Sequence, residues 1–351
     1  MVKFGNWVFP ISLSENYDGK LIYEVLSEIK LCEEKGFHSI WLNEHHFDGT
    51  SAFADPVTFS AAVAMCTKNI KIGFAVLEIA LHNPVRLAAQ CSLIDQLSKG
   101  RLIVGLGRGS VANHYEYEGF DVSMDMGAGA LEEAEELLIK CWTEKDVTYS
   151  GKYWNTKFPA IRPATYSVPH PPIMRSAISE RSISNLASSC RPFLTAGGKP
   201  ADITRKLTLY KEQAAKSGYT ESEIQAAVND IWFTSDILVA DSDNEAEKIA
   251  RQHLEIEQTF ISDARIKLNS PEWVNSKEGQ RHLKHEKLED GFIFGSVAKV
   301  KDQINDLREA GVNNLMLKVN TGQMDYRVVE KTIRLLGDEI MPIFTSNKNI
   351  F

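Results

Sequence analysis

Short apolar runs alternate with stretches of helical period along most of the chain. Eight runs have the length and composition of buried strands, and they span residues 2–9, 40–42, 70–77, 102–106, 172–177, 193–196, 231–240 and 314–319. Helical patterns separate most of these runs, for example at residues 21–29 and 84–97. Alternating strands and helices with apolar strands predict a parallel sheet, and eight units predict closure into a (β/α)8 TIM barrel.

We expect one domain over residues 1–351, with two departures from the regular repeat. Residues 149–170 are rich in aromatic residues and proline and show no helical period, which is typical of an insertion. Residues 262–290, called the lid segment below, are strongly hydrophilic. A connection of this length in a compact enzyme is usually a mobile active-site lid or a disordered loop, and we expect a mobile lid.

Polar residues follow the second strand, at the end where barrel enzymes carry their catalytic groups. Glu44, His45 and His46 come directly after the apolar residues 40–42. They could form an acid/base centre, a metal site or a structural hydrogen-bonded cluster. Neighbouring residues of an extended segment point to opposite faces, and no zinc-like spacing is present, so we expect no metal. One imidazole can face the barrel mouth, with Glu44 available to orient a ring.

Composition narrows the classes of function. Hydrophobic residues make up 43% and charged residues 25% of the chain, which is typical of a soluble globular protein. The net charge of −8 argues against a nucleic-acid partner. No run reaches the ~18 apolar residues of a membrane span, and we see no signal-peptide pattern. The five cysteines are scattered without CxxC spacing, so we expect reduced thiols in a cytoplasmic protein.

A glycine-rich turn follows the fourth strand, at residues 105–109. It lacks the third glycine of a dinucleotide fingerprint and does not follow the first strand, so a Rossmann site is not indicated. Glycines after a barrel strand let the backbone approach a ligand closely, and the forked guanidinium of Arg108 can hold a phosphate. The alternative is a tight turn with an exposed arginine.

A run of hydroxyl residues follows the fifth strand and opens a helix. It contains Ser176, Ser179 and Ser182. Hydroxyls and free backbone N–H groups at a helix N-terminus form an anion site. Ser182 could equally be an ordinary N-cap, which is compatible with phosphate binding.

Two segments resemble those of a known family. They are Glu44-His45-His46-Phe47 and Asp95-Gln96-Leu97-Ser98-Lys99-Gly100-Arg101. Further similarity runs through residues 3–6, 83–86, 105–109, 157–159, 311–314 and 341–342. On these residues the chain resembles the luciferase-like flavin monooxygenases over nearly its whole length, and most closely the α subunit of bacterial luciferase.

The resemblance implies a barrel that binds reduced FMN at its C-terminal mouth and reacts with O₂ through a C4a-hydroperoxyflavin. It implies His45 as the catalytic histidine and Glu44 as its acidic neighbour. The flavin ligands that it implies, with the glycine-rich turn and the serine run, are Ala75 and Val76 beneath the ring, Gly107, Arg108, Ser176, Ser179 and Ser182. The lid segment then shields the oxygenated flavin from water.

Some positions depart from the luciferase pattern. Gly107 replaces a reactive cysteine, about Gly129 an arginine that grips the phosphate, and Ile178 a glutamate near the phosphate. Asn83 replaces a histidine, and the lid segment is shorter. These changes favour weaker flavin binding, and they favour Baeyer–Villiger oxidation or hydroxylation of a small organic substrate over light emission.

The resemblance implies a two-component system in which a separate reductase supplies FMNH₂. One alternative is a hydride-transfer enzyme that uses the deazaflavin F420, and another is a non-catalytic flavin-binding partner subunit. Family members pair through the second and third helices, so we expect a homodimer. The small-residue run at residues 61–64 would allow close helix approach, although the same run suits a core.

Overall fold

A computed structural model describes residues 1–345 of the chain. In chain order the strands of this part are β1 (Lys3–Val8), β2 (Ser39–Leu42), β3 (Lys71–Phe74), β4 (Leu77–Glu78), β5 (Leu102–Gly107), β6 (Val147–Ser150), β7 (Asn155–Phe158), β8 (Ile173–Ser176), β9 (Phe193–Ala196), β10 (Trp232–Val239), β11 (Ile293–Gly295) and β12 (Asn314–Lys318).

Eight of these strands close into a parallel barrel. The hydrogen-bonded order is β1-β2-β3-β5-β8-β9-β10-β12, and β12 pairs with β1 to complete the ring. These are the eight strands that the apolar runs predict, so the TIM barrel is confirmed. The short strand β11 was not predicted; it pairs with the end of β10 at Ile237↔Ile293.

The helices lie between the strands along the chain, and they are α1 (Asp18–Glu34), α2 (Pro56–Cys66), α3 (Pro84–Ser98), α4 (His114–Gly119), α5 (Met124–Thr143), α6 (Glu180–Ala187), α7 (Pro200–Lys216), α8 (Glu221–Asn229), α9 (Asp243–Leu268), α10 (Pro271–Val274), α11 (Lys277–His282), α12 (Val297–Glu309), α13 (Tyr326–Leu335) and α14 (Met341–Thr345). Within residues 1–345, no helix has the length and apolar character needed to cross a membrane.

Local capping explains where several helices begin. Asp55 accepts a hydrogen bond of 3.0 Å from the Thr58 N–H, and Pro56 follows as the first helical residue of α2. Ser242 caps α9 in the same way. From the sequence alone, Asp55-Pro56 and the polar cluster Asp241-Ser242-Asp243 predict helix starts, and both agree with the structure. Helix α6 begins earlier than predicted because Ser179, rather than Ser182, is its N-cap.

Two predicted segments have more regular structure than their composition indicates. Within residues 149–170 the chain forms part of the antiparallel hairpin β6–β7, which begins at Val147. The lid segment is not one loop, because α9 continues to Leu268 and is followed by α10, α11 and a 3-10 turn at Leu288–Asp290. Its mobility stays a prediction.

The inside of the barrel is filled by a cluster of large side chains that includes Trp41, Trp232 and Met316. The Trp41 indole is fully buried and packs edge-on against Trp232 at a centroid distance of 5.2 Å. A Cβ at Gly73, its register partner on β3, would overlap the indole, and one at Gly5 on β1 would lie 2.7 Å from Nε1. Glycine on both neighbouring strands therefore makes room for the ring.

Arg101 explains why one of the two family-like segments ends in arginine. Its buried guanidinium donates to the carbonyl oxygens of Ser98, Ile70, Ala64 and Thr67 at 2.8–3.2 Å and to the Thr67 Oγ1 at 2.8 Å. These oxygens lie at the ends of α2 and α3, where the last carbonyls of a helix lack partners. The side chain thus ties two helices to the barrel, which is a structural role.

Asp95, at the start of the same segment, forms hydrogen bonds with the insertion at residues 149–170. Its carboxylate accepts hydrogen bonds from the Ser167 N–H at 2.7 Å and the Ser167 hydroxyl at 3.0 Å. The Gln96 side chain donates to the Ala164 carbonyl at 2.8 Å. The insertion is therefore docked on α3.

A buried acid lies between α1 and the barrel. Glu28 is 2% exposed, and its carboxylate accepts a 2.6 Å hydrogen bond from the Asn6 side chain on β1. Burial raises the pKa of Glu28 to about 7, although the hydrogen bond from Asn6 opposes this shift. The Asn6 Oδ1 has no partner among the described residues.

The raised pKa of Glu28 predicts that folding stability falls as the pH rises. The folded state binds the proton more tightly than the unfolded state, so the loss begins near the unfolded pKa of 4.5 and is complete above pH 7. The shift corresponds to about 3 kcal/mol. We expect Glu28→Gln to remove this dependence, measured as urea unfolding between pH 5 and 8. Parallel pH profiles for the wild type and Glu28→Gln would contradict the prediction, and the exposed Glu34→Gln is the control.

Candidate active site

The predicted site residues lie at the carboxyl ends of four neighbouring strands. In the barrel β2, β3, β5 and β8 are consecutive neighbours, with Leu106 opposite Arg175. The predicted residues at these ends are Glu44 and His45 after β2, Ala75 and Val76 after β3, Gly107 and Arg108 at the end of β5, and Ser176 on β8. The parallel strands thus bring the sequence candidates to one arc of the barrel mouth.

His45 is partly open to this mouth, with 21% of its side chain exposed. The Phe9 ring packs edge-on against the imidazole at a centroid distance of 5.5 Å. Its Nδ1 lies 3.2 Å from the Glu116 Oε1. Burial works against a charged imidazole, but the hydrogen bond to Glu116 and the charges of Glu116 and Asp48 outweigh it, so the pKa of His45 is raised.

The ring that Glu44 orients is that of His46, and the carboxylate makes no hydrogen bond with His45. Its buried carboxylate accepts hydrogen bonds from His46 Nε2 at 3.0 Å, from His82 Nε2 at 2.8 Å and from the Glu78 N–H at 2.6 Å. Burial alone would raise the pKa of Glu44, yet His82 and His46 lower it to about 2. Because residues 44 and 45 point to opposite faces, Glu44 fixes the loop while His45 faces the mouth.

The acidic partner of His45 is Glu116 on α4, which the sequence analysis missed. The side chain is fully buried, and its Oε1 also accepts a 2.8 Å hydrogen bond from the His46 N–H. The sequence contained one signal, because Glu116 stands between two aromatic residues, Tyr115 and Tyr117. Acids are seldom buried unless they are paired, so an acid among residues that favour the core indicates a partner.

Glu78 on β4 adds a second carboxyl group next to Glu116. Burial and the nearby charges of Glu116 and Glu44 raise the pKa of Glu78 well above its usual value. Neither the Glu78 Oε2 nor the Glu116 Oε2 has a hydrogen-bond donor among residues 1–345. The raised pKa favours a proton on Glu78, and the two carboxyl groups are called the Glu78–Glu116 pair below.

The Glu78–Glu116 pair and His45 could also be considered as metal ligands. One ligand atom from each of the three residues lies within 4.8 Å of the other two. The Asp48 carboxylate contributes a negative charge near His45, but it accepts hydrogen bonds from the Tyr115 hydroxyl at 2.7 Å and from Thr50. The expectation of no metal stays a prediction.

The next part of the arc is a floor of backbone and small side chains. The Ala75 carbonyl accepts a 3.2 Å hydrogen bond from the Trp7 indole, and the strand is interrupted at Ala75 and Val76, where the sequence predicted a continuous run. A Cβ at Gly107 would overlap the Val76 side chain and lie 3.2 Å from the Ser176 Oγ. Residue 107 must be glycine unless Val76 moves, which explains why no cysteine stands there.

Arg108 and the serines of α6 form the outer part of the arc. Arg108 is exposed, and its guanidinium forms no hydrogen bond or ion pair with residues 1–345. Ser179 accepts a 3.2 Å hydrogen bond from the Ser182 N–H, and the Ser182 hydroxyl donates back to the Ser179 carbonyl at 2.8 Å. An unpaired cation after β5 and a serine-capped helix N-terminus after the neighbouring strand β8 suit a phosphate group.

A surface cavity of about 370 Å³ lies at the other end of the barrel. Its lining includes Thr204, Lys211, Asn229 and Asn313. Asn313 directly precedes β12 and Asn229 lies three residues before the start of β10, so the cavity faces the amino ends of the strands. The chemistry described above is at the opposite end, where barrel enzymes carry their active sites.

Comparison with known proteins agrees with the architecture. The oxygenase component of flavin-dependent trigonelline monooxygenase from Acinetobacter baylyi is 22% identical, over 99% of this chain and 97% of that one. The crystal structure of the monooxygenase RslO1 from Streptomyces bottropensis matches with a TM-score of 0.80 and 25% identity, covering 98% of this chain and 100% of that one.

A third relative was solved with a cofactor. It is the oxygenating constituent of 3,6-diketocamphane monooxygenase from Pseudomonas putida, a type II Baeyer–Villiger monooxygenase in complex with FMN. It matches with a TM-score of 0.76 and 20% identity, over 97% of this chain and 98% of that one. The family model described as luciferase-like monooxygenase matches residues 3–314. The predicted family is confirmed, and the chain belongs to the luciferase-like monooxygenases.

Proposed function

We propose that this chain is the oxygenase component of a two-component flavin monooxygenase. It takes reduced FMN from a separate reductase and uses O₂ to oxygenate a small organic substrate, by Baeyer–Villiger oxidation of an aldehyde or ketone or by hydroxylation. The observation that carries the proposal is that three features share one arc of the barrel mouth. They are the partly open His45 next to Glu116, the floor of backbone and small side chains at Gly107, and the unpaired Arg108. The flavin-dependent trigonelline enzyme and the FMN complex named above support the choice of cofactor.

The residues of the arc fit FMN in two parts. The floor at Ala75, Val76, Gly107 and Ser176 is built from backbone and small side chains, which a flat ring system can approach closely. Arg108, Ser179 and Ser182 offer a cation and hydroxyl groups to the phosphate. When bound in reduced form, the flavin supplies the electrons for activation of O₂.

His45 is the group that handles protons in this proposal. The imidazole is buried on one side against Phe9 and Glu116 and reaches the mouth on the other. An imidazole in this position can donate a proton to a developing oxygen anion or accept one from the substrate. Glu44 supports it indirectly, because the carboxylate locks His46 and the loop that carries His45.

The lid segment excludes water in this proposal. At the end of α9, Asn269 donates to the Ala112 carbonyl at 2.9 Å, and Arg265 donates to Asn113 at 3.2 Å. Both contacts join the lid segment to the turn that follows β5. A closed, dry mouth keeps water away from the activated oxygen, which would otherwise be lost as hydrogen peroxide.

A homodimer through α2 and α3 also belongs to the proposal. Helix α2 contains no charged residue, and its outward face carries Met65, which is 70% exposed. The adjacent α3 adds Leu93 and Leu97, at 49% and 37% exposed. A helix that is apolar on all sides is usually buried on all sides, so this face fits a second copy of the chain.

The dimer can be tested by sedimentation velocity. We expect the wild type to sediment as a dimer and Met65→Lys/Leu97→Lys to sediment as a monomer, because each lysine would bury an unpaired charge. Tyr23→Lys changes an exposed aromatic residue on α1 and serves as the control. A monomeric wild type, or a double variant that stays dimeric, would contradict this arrangement.

The cofactor site predicts a selective effect of Arg108. We expect Arg108→Gln to weaken FMN binding about 10- to 100-fold, because a charge-assisted contact to phosphate is lost. The affinity for riboflavin should change by less than about twofold, because riboflavin has no phosphate and loses no contact. Titration calorimetry measures both, with Lys211→Gln at the far end of the barrel as the charge control. Equal losses for FMN and riboflavin would refute the assignment.

Stopped-flow spectroscopy tests the monooxygenase reaction itself. Photoreduced FMN bound to the protein, mixed with oxygenated buffer, should give a species whose spectrum differs from both reduced and oxidised FMN. We expect His45→Gln to shorten its lifetime, and the exposed His114→Gln to leave it unchanged. Immediate return to oxidised FMN together with tight F420 binding would favour the hydride-transfer alternative. An unaffected His45→Gln would favour a non-catalytic partner subunit.

A further inference from the structure

The lid segment reaches the active-site histidine through one intervening side chain. The Arg265 Nε donates to the Asn113 Oδ1 at 3.2 Å, and the Asn113 Nδ2 lies 3.1 Å from the His45 Nδ1. Asn113 is 3% exposed and ends the 3-10 turn Val111–Asn113. Asn269, one turn beyond Arg265, binds the Ala112 carbonyl, so α9 holds this turn by two contacts.

The direction of these hydrogen bonds follows from the chemistry of the groups. A guanidinium can only donate, so the amide of Asn113 must turn its oxygen toward Arg265. Its NH₂ group then faces the His45 Nδ1. That nitrogen must present its lone pair, since a proton on it would oppose the amide N–H. With Arg265 in place, His45 is therefore neutral and carries its proton on Nε2.

Glu116 favours the opposite arrangement. Its Oε1 lies 3.2 Å from the same Nδ1, and a carboxylate at this position attracts a proton to the nitrogen. Asp48 acts in the same sense, and the positive charge of Arg265 acts against it. Glu116 thus favours a proton on Nδ1, and the NH₂ group of Asn113 disfavours it. The orientation of the Asn113 amide therefore determines whether Nδ1 is protonated.

We propose that Arg265 and Asn113 are positioning residues that keep Nδ1 of His45 unprotonated while α9 is docked. When Arg265 withdraws, the Asn113 amide is free to turn, and a proton passes from the Glu78–Glu116 pair to Nδ1. An O–H bond of the pair breaks and an N–H bond forms, so the pair becomes doubly anionic and the imidazole becomes cationic. This inference rests on the proposed function only in taking His45 as the acid/base group.

A metal ion is a poorer occupant of the same space than a proton. It would need the Nδ1 lone pair, to which the Asn113 NH₂ already points. It would also add positive charge close to Arg265, which lies one side chain away. A proton shared by the Glu78–Glu116 pair meets neither objection.

The test reads the protonation of His45 directly in the full-length protein without flavin. Long-range ¹H–¹⁵N correlation spectra of ¹⁵N-histidine-labelled protein distinguish a proton on Nδ1 from one on Nε2, and His45→Gln assigns the signal. In the wild type at pH 7.5 we expect the Nε2–H form. In Arg265→Met the Nδ1 signal should become protonated, and the titration midpoint should rise by about one pH unit, as expected for one lost hydrogen bond.

Two further variants keep the test independent of folding defects. Asn113→Asp retains the contact with Arg265 but removes the NH₂ group, so it should also protonate Nδ1. Lys267→Gln removes an exposed positive charge two residues from Arg265 and should match the wild type. A wild type that carries its proton on Nδ1, or an unchanged His45 signal in both Arg265→Met and Asn113→Asp, would overturn the inference. Because no flavin is present, the result does not depend on whether oxygenation occurs.

Discussion

Too many acids meet at the barrel mouth for all of them to be charged without a partner, and this constraint organises the site. Glu44 and Glu116 are almost fully buried, where an unpaired carboxylate is costly. Glu44 accepts hydrogen bonds from two histidines and a backbone N–H, whereas Glu116 accepts one from a backbone N–H and has only the Nδ1 of His45 nearby. Burial and the charges of Glu116 and Glu44 hold the pKa of Glu78 well above its usual value, which favours a proton on this carboxyl group. A group that favours its proton therefore lies beside Glu116, close to His45.

The barrel was predictable because each of its strands is a short apolar run in the sequence. The run at residues 193–196 matched β9 residue for residue, and Asp55–Pro56 predicted the start of α2. The hydrophobic pattern failed where an element is short or largely polar. Strand β11 is three residues long, so it gives no detectable period. Hydrophilic composition likewise hid the regular structure of the lid segment, because α9 buries only one stripe of side chains.

The site was predictable only where its residues follow a strand directly. His45, Gly107 and Ser176 could be placed on one rim because parallel strands end at the same edge. Glu116 and Arg265 could not, since their contacts with His45 and Asn113 depend on how α4 and α9 pack, 71 and 152 residues away along the chain. Glu44 contacts the ring of His46 and not that of His45 for a local reason, because adjacent side chains of an extended segment point to opposite faces.

The position of Arg265 supports a role for the lid segment beyond the proposed shielding. If the segment only excluded water, apolar contacts would suffice, yet α9 places a guanidinium within two hydrogen bonds of His45. In the proposal above, docking of α9 turns the Asn113 amide so that Nδ1 of His45 stays unprotonated while water is excluded. The proton then stays on the Glu78–Glu116 pair and passes to Nδ1 when Arg265 withdraws. The orientation of the Asn113 amide therefore links the position of the lid segment to the protonation of His45.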